Sequence, residues 1–329
     1  MKGALSMTAF KRMTRDLRAL DTAGKVLSPD PAAPITSDGA ALTFAVWGDP
    51  QIASWSPLRS ARLLGALRDL DNMPEPLDTL IFAGDIAENG ALSELQMTAK
   101  LLREHCGGFR RFLCVPGNHD VRLRDYRMQL GRFRRFIGAV PGGVVPDSGT
   151  HYYHKTTING YTFLLMGTDR ATFEGAYISK AQLSWLDREL DAAAEGRKPV
   201  FVVNHQTLPH VNGLPITWLG KGNWRGTIGR ESDKVRAIFE RHRNVIFITG
   251  HLHYGVSAYT FEDCGAFKAL SVPTVGVVNH GSFTPDTQGY VVRVYADRIE
   301  TRARIFGEGR YVPDDVPGAH VIIPLSDTN

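Results

Sequence analysis

VPGNHD (115–120) follows directly on the apolar run FLC (112–114). The run predicts a buried strand, and Pro116-Gly117 predicts that this strand breaks into a loop. The loop would present Asn118, His119 and Asp120 together, which places an amide oxygen, an imidazole and a carboxylate at the carboxyl end of one strand. Such a cluster indicates a functional site.

Four other stretches have the same organisation, an apolar strand that ends in polar side chains able to bind a metal. They are FAVWGDPQ (44–51), LIFAGD (80–85), VFVVNH (200–205) and IFITGHLH (246–253). Each stretch alone is a weak signal. Together they indicate one site, because open sheets bind ligands at the carboxyl ends of their strands. Carboxylates and imidazoles are also unfavourable in buried positions unless they are paired or metal-bound.

Segments of helical length separate these strands. Pro57 predicts a helix start after Ser56, and a second helix is expected over about 91–105. Asn159-Gly160 predicts a hairpin over 151–166, and Ser179 with Gln182 matches a capping box. Strands that alternate with helices argue for βαβ units around a sheet core.

Composition excludes several classes of protein. Of the 329 residues, 43% are hydrophobic and 22% are charged, as in ordinary soluble globular proteins. A net charge of +4 does not by itself imply a polyanionic partner, and no clear nucleic-acid binding is expected. No apolar run is long enough to span a bilayer, and the first residues lack a secretory pattern. Three cysteines do not suggest a disulfide framework, so a cytoplasmic protein is expected.

The order D-x-Q, GD, GNHD, H and GHxH resembles that of the calcineurin-like metallophosphoesterases. The resemblance covers residues 43 to about 260, and the β-rich end is similar to bacterial members grouped with cyclic-nucleotide phosphodiesterases. It implies an α/β fold, the four-layer αββα sandwich, in which two mixed sheets pack face to face with helices outside.

The resemblance also implies a site with two divalent metal ions. Carried over residue by residue, it assigns Asp49, Gln51, Asp85 and His253 to one ion, and Asp85, Asn118, His205 and His251 to the other. In the same comparison His119 contacts the phosphate and protonates the leaving group, and Asp120 orients His119. The reaction implied is attack on phosphorus by a hydroxide that bridges the two metals.

Gln51 departs from the commoner pattern of the family, which has histidine at this position. An amide oxygen is a harder and weaker ligand than imidazole, and this favours Mn²⁺ over Zn²⁺. Iron or zinc are the alternatives.

The function expected from these residues is hydrolysis of a small phosphodiester, a cyclic nucleotide being one candidate. A phosphomonoesterase or a nucleotide pyrophosphatase could use the same site. A non-catalytic scaffold that keeps the fold for protein binding is the alternative from another class. Retention of all the carboxylate and histidine ligands together with His119 argues against a scaffold.

The chain is expected to divide into three parts. Residues 1–39 form an N-terminal helix and linker, docked on the same chain or on the mate in a homodimer. Residues 40–306 form the metallophosphoesterase domain, and 307–329 form a C-terminal tail.

Residues 206–230 are an expected lid or, equally, a surface flap. The candidate substrate contacts on it are His210, Trp218, Trp224 and Arg225. His210 and His280 could each also be an ordinary loop histidine, and His151 and His154 are expected to be structural.

Overall fold

The structure is a computed structural model that describes residues 37–147, 150–194, 198–213, 226–242, 244–281 and 283–325. The expected N-terminal helix lies outside these ranges, as do Trp218, Trp224 and Arg225 of the expected lid. Thirteen strands and six helices occur within the described residues.

The strands are β1 (Leu42–Trp47), β2 (Thr79–Phe82), β3 (Phe112–Cys114), β4 (His154–Ile158), β5 (Tyr161–Leu165), β6 (Val200–Val203), β7 (Val245–Thr249), β8 (Phe261–Asp263), β9 (Phe267–Ser271), β10 (Gln288–Val294), β11 (Arg298–Ile305), β12 (Arg310–Tyr311) and β13 (His320–Pro324). The helices are α1 (Pro57–Asp71), α2 (Leu92–Glu104), α3 (Asn118–Val121), α4 (Tyr126–Gly138), α5 (Lys180–Ala194) and α6 (Ser232–Glu240). Within the described chain no helix has both the length and the apolar character needed to cross a membrane.

The strands form two mixed sheets. The first has the order β12-β11-β10-β1-β2-β3, with β13 also paired to β11, and the second has the order β4-β5-β6-β7-β9-β8. Strands β1, β2 and β3 run parallel to one another, and so do β5, β6, β7 and β9. The parallel strands of both sheets carry the motifs quoted above at their carboxyl ends.

The two sheets pack face to face through aromatic side chains. Phe44 of β1 makes edge-to-face contacts with Phe163 and Phe201 of the second sheet, at centroid distances of 5.7 and 5.1 Å. Along β6, Phe201 and Val203 join the core between the sheets, whereas Val200 and Val202 join a second core beneath α5 and α6. This alternation buries β6 on both faces, and the expected sandwich of two mixed sheets with outer helices is confirmed.

The capping box expected for α5 forms only in part. Ser179 Oγ accepts from the N–H of Gln182 at 3.2 Å, as expected. The Gln182 side chain does not reach back to Ser179; it donates to Gly167 O and to Asp169 Oδ2, both at 2.8 Å. Asp169 accepts the Ser179 N–H instead, at 2.9 Å. The buried side-chain NH₂ group of Gln182 thereby has two acceptors, a carbonyl and a carboxylate.

The segment after residue 306 carries two further strands of the first sheet. β12 and β13 both pair antiparallel with β11, and Leu325 N donates to Asp297 O at 2.8 Å. The described part of the expected tail is therefore joined to the sheet by backbone hydrogen bonds up to residue 325.

Candidate active site

The seven residues expected to bind metal lie together at one edge of the molecule, where strands of both sheets end. Asp49 and Gln51 follow β1, Asp85 follows β2, and Asn118 opens α3 just after β3. His205 follows β6, and His251 and His253 follow β7. Six of the seven are buried, Asp49 and His205 completely, and the side chain of His253 is 22% exposed. The cluster is therefore buried, and its one partly exposed member is His253.

Asp49, Gln51 and His253 form one half of the cluster. His253 Nε2 lies 3.0 Å from Asp49 Oδ1 and 3.4 Å from the side-chain nitrogen of Gln51. The same Gln51 nitrogen lies 3.2 Å from Asp85 Oδ2. A half-turn of the Gln51 amide exchanges its nitrogen for its oxygen, so this residue can present an acceptor at the same place.

Asp85, His205 and His251 form the other half, with one ligand atom of each within 4.8 Å of the others. His205 Nε2 lies 3.2 Å from Asp85 Oδ2 and 3.2 Å from His251 Nδ1. His205 Nδ1 lies 2.7 Å from Ala83 O, which requires a proton on Nδ1. Nε2 then points into the cluster, the orientation that a metal ligand needs.

The electrostatics of the cluster favour a bound cation. Burial opposes the charge on Asp85, but the nearby imidazoles of His205 and His119 hold its pKa well below the usual range. Burial lowers the pKa of His205, yet Asp85 and Asp49 outweigh it and raise this pKa to about 9. The pKa of His251 is lowered by burial and by His205. Two buried carboxylates thus stabilise positive charge at the place where the ring nitrogens converge.

One polar atom in the cluster is unsatisfied. Asn118 Oδ1 is buried and has no hydrogen-bond partner among the described residues, whereas its Nδ2 donates to Phe173 O at 3.2 Å. A buried carbonyl oxygen without a donor is unfavourable, and a divalent cation would satisfy it. The carboxylate, imidazole and amide donors present here fit a divalent metal centre.

Five of the expected ligands have left-handed backbone conformations. Their φ angles are +50° for Asp49, +39° for Gln51, +51° for Asp85, +72° for His251 and +54° for His253. They are half of the ten described non-glycine residues with positive φ. Such conformations are unfavourable by about 1–3 kcal/mol each and concentrate at functional sites.

Two glycines let the loops come close enough to form the cluster. A Cβ added at Gly84 would clash with the ring of His205, and one added at Gly117 would clash with the Asp85 carboxylate and its N–H. Gly84 also has a φ of +98°. The Gly in GD and the Gly in GNHD are therefore both required by packing.

His119 lies beside the cluster. Its backbone N–H donates to Asp85 Oδ1 at 2.8 Å, and its Nε2 lies 3.9 Å from Asp85 Oδ2. Its Nδ1 lies 2.7 Å from Glu88 O, which favours a proton on Nδ1 and leaves Nε2 facing the cluster. Burial opposes the imidazolium, but Asp85 and the Glu88 contacts raise the pKa of His119.

Glu88 is a site residue that sequence reasoning missed. Besides its carbonyl contact, a carboxylate oxygen lies 3.4 Å from His119 Nδ1, and the carboxylate is paired with Arg59. Arg122 Nη2 lies 2.8 Å from the same ring nitrogen. Glu88 belongs to no recognised motif. Only its position in the sequence pointed to the site: Glu88 lies three residues after Gly84-Asp85, on the loop that faces GNHD.

Asp120 contacts the backbone and not the His119 ring. It accepts from the N–H groups of Ile86 at 3.1 Å, Ala87 at 3.0 Å and Gly117 at 2.9 Å. Burial and the charge of Asp85 raise the pKa of Asp120 to about 7. The resemblance implied that Asp120 orients His119; the described contacts of the His119 ring are with Glu88 and Arg122. Asp120 joins the GD loop to the GNHD loop.

Of the expected substrate contacts, only His210 lies in the described residues. It is exposed, with a φ of +59°, and no described contact joins it to the metal-ligand cluster. His280 is closer: its ring stacks on that of His253 at a centroid distance of 6.1 Å, and its N–H donates to His253 O at 2.6 Å. Burial and His253 lower the pKa of His280.

The family model for calcineurin-like phosphoesterases matches residues 42–255. Among curated protein sequences, none matches this chain significantly. The fold is similar to that of a dimetal phosphatase from Danio rerio, with a TM-score of 0.63 and 16% identity over 87% of this chain and 100% of that one. It is also similar to a purple acid phosphatase from yellow lupin (Lupinus luteus) seeds, with a TM-score of 0.60 and 12% identity. That match covers 89% of this chain and 55% of the lupin chain.

Proposed function

The chain belongs to the calcineurin-like phosphoesterase family, and from that premise we propose that it hydrolyses a phosphodiester with a flat group, such as a nucleobase, on one ester arm. The proposal of a flat group rests on a pair of exposed aromatic rings that arginine side chains connect to the surroundings of His119. Trp55 and Phe173 are 66% and 63% exposed, an unusual state for side chains of this size.

Each ring is tied to the site by an arginine. The guanidinium of Arg59 lies 4.8 Å from the centroid of the Trp55 ring, and Arg59 also pairs with Glu88. The guanidinium of Arg122 lies 5.2 Å from the centroid of the Phe173 ring and also contacts His119. Exposed aromatic rings offer stacking surfaces for bases, and stacking is worth about 1–3 kcal/mol per base. Either ring could stack on the flat group of the ester.

The metal ligands proposed are those implied by the family resemblance. Asp49, Gln51, Asp85 and His253 would hold one divalent ion, and Asp85, Asn118, His205 and His251 the other. When bound, such ions supply an activated water and positive charge for the phosphoryl oxygens. The amide donors of Gln51 and Asn118 favour Mn²⁺.

The remaining chemistry belongs to side chains of the chain itself. A leaving alkoxide needs a proton, and His119 Nε2 faces the cluster with its pKa raised by Asp85 and Glu88. The Glu88 carbonyl fixes the ring through Nδ1, and the bond from the His119 N–H to Asp85 fixes its backbone. Arg122 Nη2 lies 2.8 Å from the same Nδ1, and its positive charge would attract an anionic ester. We propose His119 as the general acid and Glu88 as the residue that positions it.

The proposal is tested with two diesters that release the same nitrophenolate, thymidine 5′-(p-nitrophenyl) phosphate and methyl p-nitrophenyl phosphate. Only the first carries a base, so it should be the better substrate. Trp55→Ala should lower kcat/KM for the thymidine ester about 5- to 150-fold, the loss of one stacking contact, and change the methyl ester little.

Tyr295→Ala is the matched control. Tyr295 is also stacked by an arginine, Arg298 at 4.1 Å, but it follows β10 at the opposite end of the sheet. It should leave both rates unchanged. Equal rates on the two esters in wild type, or equal losses in Trp55→Ala, would contradict recognition of a flat group. Faster hydrolysis of p-nitrophenyl phosphate than of either diester would favour the phosphomonoesterase alternative, and no turnover of any ester with Mn²⁺ would favour the scaffold.

A further inference from the structure

A second group of potential metal ligands lies on the outer surface of the second sheet, away from the strand ends of the active site. Asp187 and Asp191 are one helical turn apart on α5, and His242 follows the end of α6. One ligand atom from each of the three lies within 4.8 Å of the others. Residues four apart on a helix share a face, so both carboxylates point toward the same neighbour.

The histidine of this group is buried and unsatisfied. The side chain of His242 is only 6% exposed, and its Nε2 has no hydrogen-bond partner among the described residues. That nitrogen lies 3.6 Å from Asp191 Oδ1 and 3.9 Å from Asp187 Oδ1. Both distances exceed those of a hydrogen bond. A buried nitrogen aimed between two carboxylates, but bonded to neither, needs a further partner.

These separations fit three ligands of one metal ion. Zinc binds imidazole nitrogen and carboxylate oxygen at about 2.0–2.2 Å, so two ligand atoms of a tetrahedral zinc are roughly 3.4 Å apart. The two gaps at His242 Nε2 need to close by only a few tenths of an ångström, and the two carboxylate oxygens lie within 4.8 Å of each other. Asp191, 71% exposed, can move that far, and its open side leaves room for a water as the fourth ligand. We propose that Asp187, Asp191 and His242 bind a zinc ion.

Arg241 is the competing partner. Its Nη2 pairs with Asp187 Oδ1, so the ion would share this carboxylate or displace the guanidinium from it. Asp187 has a second oxygen, and Arg241 is 53% exposed, so the exchange requires no burial of charge. A divalent ion held by two carboxylates and an imidazole also leaves little net charge at the surface.

Such an ion would cross-link α5 to the end of α6. These helices cover the outer face of β6 and β7, the strands that deliver His205, His251 and His253. The proposed site is thus structural: it would stabilise the layer behind the active site without contacting the substrate.

The experiment counts zinc. Metal-free full-length chain is saturated with ZnCl₂ and desalted, and the bound zinc is measured for wild type, His242→Gln and Asp191→Ala. Each variant should hold one zinc fewer than wild type, because the catalytic ligands are untouched. Zinc should raise the thermal midpoint of each variant by about 2–4 °C less than that of wild type. Activity with Mn²⁺ should be unchanged.

His320→Gln is the control. His320 also faces two acidic residues, but it is hydrogen-bonded to Glu300 at 2.9 Å and is 25% exposed, so its loss should leave the zinc count at the wild-type value. Asp191 is exposed on a helix, and its replacement by Ala keeps the chain foldable even if His242→Gln does not fold. Retention of the full zinc count by either folded variant overturns the site.

Discussion

At the scale of single residues, the site has two kinds of side chain. The seven expected ligands are held by buried, strained loops. His119 is held by Glu88, Arg122 and the carboxylate of Asp85. The expected ligands set the charge of the site, and the residues around His119 control the protonation of its ring. Substitutions in the two groups should therefore have different kinetic signatures.

His119→Ala should slow esters with alkoxide leaving groups by about 10²–10⁴, the usual contribution of a general acid. It should slow p-nitrophenyl esters much less, because nitrophenolate leaves without a proton. The measurement is the ratio of kcat/KM for an alkyl diester to that for a nitrophenyl diester, in wild type and variant. The same loss on both esters would assign His119 to phosphate binding.

Gln51→His should change the choice of metal. The variant replaces an amide oxygen by an imidazole nitrogen next to Asp49 and His253, and nitrogen favours Zn²⁺ over Mn²⁺. Metal-free wild type should regain activity best with Mn²⁺, and the variant should bind Zn²⁺ more tightly than wild type does. Competitive titration with the two ions measures this. An identical order and strength of preference in both proteins would exclude Gln51 as a determinant of metal choice.

At the scale of elements, features encoded by neighbouring residues in the sequence could be predicted. Contacts between residues that meet only in the folded chain could not. Asp49, Asp85 and His205 could be located because each follows an apolar strand, and strand ends meet at one edge of a sheet. Glu88 could not, because its contact with His119 arises from two loops that face each other only in the folded chain. The side chain of Gln182 was likewise redirected by Asp169, a tertiary partner that no capping pattern specifies.

Strand β4 carries a histidine, His154, whose ring is kept in the neutral form by its surroundings. Neither ring nitrogen of His154 has a hydrogen-bond partner in the described part of the chain, and the ring lies edge-on to Tyr152 at 5.7 Å. Burial lowers the pKa of His154 to about 4, with Arg134 adding to this effect and Asp147 opposing it. His154 was expected to be structural, and its burial in a sheet accounts for that role.

His154→Phe should therefore make the protein less sensitive to acid. The unfolded chain takes up the proton near pH 6.5, whereas the folded chain resists it down to about 4. Stability from the neutral ring is thus complete above about pH 6.5 and is lost as pH falls toward 4, by at most about 3 kcal/mol. Urea unfolding at pH 7 and pH 5 should show a smaller loss for the variant than for wild type. His320→Phe, at a partly exposed histidine on β13, serves as control, and equal losses for His154→Phe and wild type would reject the assignment.

At the scale of the whole molecule, the site joins two sheets that are distant in sequence. The N–H of His251 donates to Asp49 Oδ2 at 3.0 Å across 202 residues. Strand β1 is hydrogen-bonded along its length to β10, with Leu42 opposite Val294. The layered architecture was predictable from the alternation of strands and helices. The order of strands around β1 was not, because a partner some 250 residues away leaves no local pattern in the sequence.

This connectivity also dictates when, during synthesis, the site can exist. Loop closure over about 200 residues must be complete before Asp49 and His251 meet, and such non-local pairings form slowly. A growing chain that has not yet delivered β7 lacks His251 and His253, and one that has not delivered β10 leaves an open edge on β1. The proposed ligands that are synthesised first, such as Asp49, therefore cannot form the complete metal site until His251 and His253 have been synthesised. With the ligands proposed above, the complete metal site can form only after the chain has been translated through residue 253.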